Sequence, residues 1–312
     1  MSILLAESAK LSNDVLLQGV IETILKESPI LQAMPFIDIV GNGLTYNRET
    51  SLAAAAWHAP LGDWTTPTAP TFDQLTATLA VLGRNADLDN FIKQTRSNLQ
   101  DIEATVVELA AKSVRMEFER AFLYGCVANY LGMTGDANSI NGLIKLIATG
   151  TASSQVIAMG ATGATLTLAK LDELIDAVQG GKPDLLLMSK RSRRKVNALA
   201  RAAGSNLEVG TGKLGEFVQL YNGIPVGISD YVLDVHVLTG SVETAVTGGA
   251  CSTIYALQFG EGAVCGATNG GIQIEPIGAM EGKDANRSRI KWYVSLVDFC
   301  VQRRAALIGV TD

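Results

Sequence analysis

The segment MPFIDIVGNGLTYNRET, Met34–Thr50, sets the frame in which the rest of the chain is read. Phe36–Val40 is a short apolar run and Leu44–Arg48 the start of a strand, separated by the turn-forming Gly41-Asn42-Gly43. A second strand follows at Leu75, Ala77, Leu79 and Val81, whose alternation has the period of two of a half-buried strand. Between the two strands, Glu49–Phe72 carries Pro60, Gly62, Pro67, Pro70, a cluster of threonines and the bulky Trp57, His58 and Trp64. A stretch of that length without structure of its own is uncommon inside a compact domain and points to a functional or partner-ordered segment. It reads as a long extended hairpin arm. Aromatic side chains on such an arm, outside any periodic core element, fit anchors in a partner's pocket, so Trp57, His58 and Trp64 are candidate interface residues.

Downstream, Arg84–Tyr124 contains neither glycine nor proline, and Leu99, Ile102, Val106 and Leu109 recur at steps of three and four. The pattern predicts one long helix, which with most of the span helical reaches roughly 50 Å at about 1.5 Å per residue and would serve as a spine. Upstream, Leu17, Val20, Ile21, Ile24 and Leu25 lie on one face of a helix over residues 13–27, with Asn13 as cap and Pro29 as stop. That stripe has to be buried on the chain's own body or on a neighbour's. Beyond a glycine-rich joint at Gly132–Gly142 the elements alternate. Leu168–Val178 is a helix ended by Gly180-Gly181, Leu185–Met188 a buried strand and Ser192–Ala203 a second helix. Strands are expected at Val218–Tyr221, Ile224–Ile228, Ile254–Phe259, Ile272–Ile277 and Ile290–Val301. The fold class is α+β, with two lobes sharing the spine.

The 312 residues suffice for a sizeable core, and 47% are apolar against 18% charged, a richness that suggests apolar surface covered by partners. A net charge of −6 leaves no polycationic character with which to grip nucleic acid. Cys126, Cys251, Cys265 and Cys300 are widely spaced and read as reduced, mostly buried thiols. The opening MSILLAESAK is too short in apolar residues for a signal core, and no window reaches the roughly 18 apolar residues of a membrane helix. A protein made and folded in a cytoplasm is expected.

Catalytic motifs are weak. Gly210, Gly212 and Gly215 match GxGxxG, but the dinucleotide fingerprint needs a helix after it, and Glu216–Tyr221 reads as a strand. Arg191, Arg193, Arg194 and Lys195 form either a solvated helix face or a charged edge that pairs with a neighbouring subunit's acids, in preference to a phosphate patch. His58 and His236 have no Cys or carboxylate at metal-ligand spacing, and Asp172, Glu173 and Asp176 resemble ordinary helix surface charge. No cofactor and no metal is expected.

The order of elements, with the local sequence, resembles the major capsid proteins of tailed bacteriophages, the fold named for phage Hong Kong 97 and shared with encapsulin nanocompartments. The likeness rests on Met34–Thr50, on DNFIKQTRSN (Asp89–Asn98), LAKLDELIDAV (Leu168–Val178), YNGIPVGISD (Tyr221–Asp230) and IYALQFGEG (Ile254–Gly262), and on GGIQIEPIG and RIKWYVSLVDF near the end. The resemblance implies an N-terminal arm over residues 1–33, an extension loop over 34–85, and a peripheral domain with the spine helix over 86–141. It further implies an axial domain over 142–270 and peripheral strands with the C-terminus over 271–312. The implied function is a structural subunit, not an enzyme, that assembles with many copies of itself as hexamers and pentamers around double-stranded DNA. The DNA would be contacted weakly and without sequence specificity. Partners would include separate scaffold, portal or decoration proteins, with no membrane, and the protein would reside in the virion after assembly in the bacterial cytoplasm. Interface residues would be Leu17, Val20, Ile21 and Ile24 of the arm, Trp57, His58 and Trp64 of the loop, and Arg191, Arg193 and Arg194. Some relatives join subunits through an extension-loop lysine; none stands between Lys26 and Lys93, so that cross-link is not expected. Hexamers and pentamers from one sequence call for hinges, for which Gly83 and the Gly132–Gly142 joint are the candidates. An encapsulin-like compartment with a protein cargo is the second reading, and a nucleotide-binding α+β enzyme using the Gly210 loop the third.

Overall fold

Ile102, Val106, Ala110, Val114, Phe118 and Phe122 follow one another at steps of four, and all six are buried. Burying that stripe organises the molecule. The computed structural model describes residues 28–51, 55, 57–61, 69–96, 102–147, 154–204, 208–211 and 217–312. In chain order it contains α1 (Pro29–Ala33), β1 (Phe36–Asp38), β2 (Gly43–Ser51), β3 (Thr71–Thr78), β4 (Ala80–Asp89), α2 (Asn90–Arg96), α3 (Ile102–Tyr124) and α4 (Leu143–Leu146). There follow β5 (Val156–Ala158), β6 (Ala164–Thr165), α5 (Leu168–Asp176), β7 (Leu185–Met188), α6 (Lys190–Ala202), β8 (Glu208–Thr211), β9 (Phe217–Tyr221) and β10 (Ile224–Ile228). The last elements are β11 (Val237–Thr239), β12 (Val242–Ala245), β13 (Ser252–Leu257), β14 (Val264–Met280), β15 (Lys283–Asp298) and β16 (Arg304–Thr311). The class is α+β.

A four-stranded sheet, ordered β1-β14-β15-β4, receives α3. Phe118 stacks tilted on Trp292 of β15 at 4.6 Å between ring centroids, with Phe36 5.5 Å from Trp292. Ile290 and Val294 share that face of β15 and are also buried. The larger sheet runs β5-β16-β13-β7-β10-β9-β8, with β6 beside β16. Its central strand β7, Leu-Leu-Leu-Met, is buried throughout because both faces are covered. Leu185 and Leu187 join the core shared with α3, while Leu186 and Met188 face a second core with Leu171, Leu174 and Val196 of the flanking helices. Thr167 and Ser189 cap those two helices, their hydroxyls accepting from the amides of Lys170 and Ser192 at 3.3 and 3.2 Å.

β7 and β10 occupy the spans read from sequence, and the read strands Ile272–Ile277 and Ile290–Val301 fall within or largely within the much longer β14 and β15. The single helix over Arg84–Tyr124 is corrected. Arg84–Asp89 completes β4, paired with β15 from Val294↔Ala80 to Ala285↔Asp89. A run free of glycine and proline permits a helix without requiring one, and the ladder to β15 wins. Asp89 accepts the Phe91 amide at 2.8 Å and starts α2, while the described part of the long helix, Ile102–Tyr124, spans 23 residues, about 35 Å. Leu109, expected on the buried stripe, is 40% exposed, and Ala110 takes its place. Leu99 and the arm helix over residues 13–27 lie outside the described residues. The strands after residue 270 also divide: β16 leaves the smaller sheet and inserts between β13 and β5 of the larger one.

Two of the glycines expected as hinges, Gly83 and Gly142, sit against neighbouring backbone. Gly83 pairs with Lys291 in mid-ladder, where a Cβ would stand 2.7 Å from the Ile290 carbonyl oxygen. In the joint, a Cβ on Gly142 would stand 2.5 Å from the Ala121 carbonyl oxygen. Glycine at these places permits close backbone packing, and such packing resists swinging.

Phe118→Ala should therefore destabilise the folded subunit by about 3–5 kcal/mol. Leu109→Ala should stay within about 0.5 kcal/mol. Urea denaturation of the unassembled protein measures both.

Candidate assembly surfaces

The hairpin of β2 and β3 is a separate two-stranded sheet, paired from Gly43↔Thr78 to Ser51↔Thr71. Its base is closed by the Leu79 amide donating to the Asn42 carbonyl at 2.9 Å. Leu44, Tyr46 and Ala77 pack on a small apolar cluster of Ile39, Cys265, Ala267 and Val297, and Tyr46 meets Phe299 edge-on at 5.0 Å. The segment after Ser51 leads to β3. Trp57 and Leu61 are fully exposed there, and His58 is half-buried. Trp64 lies outside the described residues, as do Leu17, Val20, Ile21 and Ile24. The structure thus presents two large apolar side chains, Trp57 and Leu61, on the segment between β2 and β3.

The three arginines at the start of α6 differ in position. Arg191 is held within the chain: its Nη2 donates to the carbonyls of Ala250 (2.9 Å) and Val310 (3.3 Å), and its Nε lies 3.5 Å from Asp234 Oδ1. Arg193 is half-buried and Arg194 exposed. The helix turns the three away from a common patch, and Arg194 alone is fully presented. Gly210 lies in β8, which pairs antiparallel with β9, so strand follows strand where a dinucleotide fingerprint needs a helix. Gly212 and Gly215 lie outside the described residues.

Sequence reading missed a surface on β14. β1 pairs with β14 only over Gly266–Thr268, so among the described residues the outer edge of β14 past that point is unpaired. Ile272 and Ile274 stand opposite Trp292 and Ile290 and share the face that α3 covers on β15, yet they are 49% and 54% exposed. The core face continues past the helix that seals it. Its signal was the alternation Ile272-Gln273-Ile274-Glu275, read as a strand but not as an open one. Unpaired apolar edges of this kind are sites for docking another chain.

Buried polar groups brace the body. Arg304 and Asp298, both 2% exposed, pair at 2.7 Å, and Arg304 Nη2 donates to the Leu146 carbonyl at 2.6 Å. Burial lifts the Asp298 carboxyl above the usual carboxylate range, with Arg304 and Arg48 opposing. At the end of α3, the Tyr124 hydroxyl accepts the Leu233 amide at 3.0 Å and lies 3.1 Å from His236 Nε2. The opposite ring nitrogen of His236 is 2.8 Å from Glu243 Oε1 and 3.0 Å from Thr253 Oγ1. Of these partners Tyr124 lies on α3, 112 residues away, while Glu243 and Thr253 lie on β12 and β13, seven and 17 residues on. Among the described residues no group of three His, Cys, Asp or Glu side chains could hold a metal ion, and no helix is long and apolar enough to cross a membrane.

A two-lobed body, sheets locked by buried charge and apolar side chains displayed on a projecting hairpin and an open strand edge define a subunit built to be covered by other chains. The chain belongs to the phage capsid family, whose model matches residues 11–279. Solved structures of the same fold include the SrpI encapsulin of Synechococcus elongatus PCC 7942, at 15% identity and TM-score 0.64, covering 100% of this chain and 97% of that one. The capsid of Cyanophage A-1(L) aligns at 14% identity and TM-score 0.65, covering 97% of this chain and 99% of that one. The chain of Mycobacterium phage Bobi aligns at 16% identity and TM-score 0.64, covering 98% of each. No curated protein matches the sequence. The fold is Hong Kong 97-like, and the role is that of a structural major capsid protein which self-associates into capsomers in the virion.

At the tip of the smaller sheet, Arg287 forks onto Asp87 with bonds of 2.6 and 2.8 Å, and this holds the Asp87 carboxyl below its ordinary range. A carboxyl whose folded value is depressed contributes stability above the unfolded pKa of about 3.9, and that contribution is lost as pH falls through the folded value. Asp87→Asn should therefore lower the urea midpoint at pH 6 and leave it closer to wild type at pH 3.

Proposed function

We propose that the chain forms the wall of an icosahedral head, assembled in the bacterial cytoplasm as hexamers and pentamers around double-stranded DNA. The observation that carries this reading is Trp57, fully exposed on a hairpin whose base is fixed to the body. A side chain that costly to leave in water, on a hairpin anchored at its base, is explained by burial on a neighbouring copy. In this reading residues 1–33 are the arm, 34–85 the extension loop, 86–141 the peripheral domain with its spine, 142–270 the axial domain, and 271–312 the peripheral strands and C-terminus. β16, paired with β13, carries the last residues back to the axial side.

The interface would comprise the arm stripe Leu17, Val20, Ile21 and Ile24, the loop residues Trp57, His58 and Trp64, and the exposed Arg194 beside Arg191 and Arg193. Each contact is modest, but each subunit offers several at once, and closure makes the set persistent. The net charge of −6 suits a wall that must not adhere to packed DNA. Scaffold, portal and decoration proteins would be separate chains.

Negative-stain electron microscopy of the purified, overexpressed protein, with nuclease-protected nucleic acid assayed in the same fractions, tests the reading. Shells or ring-shaped capsomers are expected, with protected DNA in native particles. The match to an encapsulin over the whole chain favours one alternative, a compartment, for which a protein cargo and no protected genome would be found. A small homogeneous oligomer under all conditions would overturn both. The double variant Trp57→Ala, Trp64→Ala should abolish or sharply reduce shell yield while leaving the subunit's thermal midpoint within a few degrees. Unfolding of the subunit instead would make these core residues.

A further inference from the structure

Three strands at the hairpin base, β2, β15 and β16, meet at one carboxylate. Asp298 Oδ2 receives Arg304 Nη1 at 2.7 Å from the body and Arg48 Nη2 at 3.0 Å from β2 of the hairpin. Arg48 Nη2 also donates to the Asp298 carbonyl at 2.6 Å, and its Nε reaches the Phe299 carbonyl at 3.4 Å. The two arginines are not equivalent. Arg304 is 2% exposed and tied to the Leu146 carbonyl, whereas Arg48 is 24% exposed. Should Arg48 leave, Asp298 loses the guanidinium that hydrogen-bonds its Oδ2 but keeps Arg304 as an ion-pair partner at 2.7 Å, so the buried charge retains a counter-charge. Departure of Arg304 would leave the carboxylate with a single, partly solvated partner.

The backbone makes the position of Arg48 consequential. β3 and β4 are consecutive, broken only at Leu79, and the β2–β3 pair shares no ladder with any other strand. The remaining contacts of the hairpin with the body are apolar, Leu44, Tyr46 and Ala77 on Val297 and Phe299, and such contacts tolerate sliding. Arg48 stands five residues up the strand from Gly43, about 16 Å at roughly 3.3 Å per residue. At that radius a swing of about 10° moves the guanidinium about 3 Å, enough to break its hydrogen bonds. The contact is therefore either made at one hairpin angle or lost.

We propose that Arg48 is a releasable latch: gripping the Asp298–Phe299 corner fixes the extension hairpin at one angle, and releasing it frees the hairpin for the other angle that unlike positions in a closed shell require. This rests on the shell reading above. It puts the adaptable joint at the hairpin base, in place of the close-packed glycines at Gly83 and Gly142.

Hydrogen–deuterium exchange on the full chain, free and assembled, tests it in wild type, Arg48→Met and Arg48→Lys. Arg48→Met should speed exchange in residues 43–51 and 71–78 by about tenfold or more while β13 and β16 keep wild-type rates, and should broaden the distribution of shell diameters. Arg48→Lys, which keeps the charge but not the fork, should restore the hairpin rates in part. Unchanged hairpin exchange in Arg48→Met would overturn the proposal. So would unfolding, or faster exchange spread through β13 and β16, which would make Arg48 a general stabiliser of the body. Wild-type protein that makes no shells would sink the shell reading, while the exchange comparison would still decide whether the latch exists.

Discussion

The contact of Phe118 with Trp292, 4.6 Å between ring centroids, is the point on which the architecture turns. It joins α3 to the middle of β15, and β15 in turn holds β14 on one side and β4 on the other. With α3 laid on that face, Ile290 and Val294 are sealed and Phe36 is partly covered, and the helix reaches on to place Phe122 and Leu123 in the core shared with the larger sheet. One apolar stripe at steps of four thus couples the two sheets. The same arrangement explains the exposed isoleucines of β14: α3 covers β15 and β4, and the face it leaves uncovered continues as Ile272 and Ile274.

Charge is used where apolar packing cannot specify direction. Asp298 and Arg304 sit where the chain passes from the smaller sheet to the larger, between β15 and β16. Removing either from water is unfavourable, and the cost is offset by the opposite charges at 2.7 Å and by the bond from Arg304 Nη2 to the Leu146 carbonyl. A hydrophobic pair could fill the same volume without fixing the geometry of three elements. The network of Tyr124, His236 and Thr253 does comparable work at the other end of α3, attaching the helix terminus to strands that lie more than a hundred residues further along. Buried bonds of this kind make the body a stiff platform, and stiffness is what lets a projecting hairpin deliver Trp57 to a defined place.

What the sequence disclosed follows from the range of the forces involved. Local patterns with strong chemistry were legible: β7 as an unbroken apolar run, β10 after its Asn222-Gly223 turn, α5 ended by Gly180 and Gly181, and the hairpin from its alternation. The family resemblance was legible because many such segments occur in order. Misreading began where a local pattern allowed two outcomes and a distant strand decided between them. Arg84–Asp89 has no helix breaker, yet its backbone partners are on β15, some 200 residues away. The Arg48–Asp298 contact spans 250 residues and joins two unremarkable charges, so no spacing rule would have paired them. Arg191 read as surface charge because its acceptors, the carbonyls of Ala250 and Val310, are backbone atoms with no signature in the sequence.

The division between a stiff body and displayed apolar side chains bears on how a shell can form without the subunit first aggregating. An apolar patch on the body large enough to hold a neighbour alone would bind copies in any register. Here the exposed apolar groups are dispersed over separate elements, Trp57 and Leu61 on the hairpin, Val81 on β4, and Ile272 and Ile274 on β14. In the proposed shell each would be a weak contact on its own, effective only with the others engaged in the right geometry, so that a stiff body would convert weak contacts into a geometric test. A subunit that meets its neighbours at the wrong angle satisfies one contact and forfeits the rest. Specificity of assembly therefore arises from the buried core, through the relative positions it imposes, as much as from the side chains that touch.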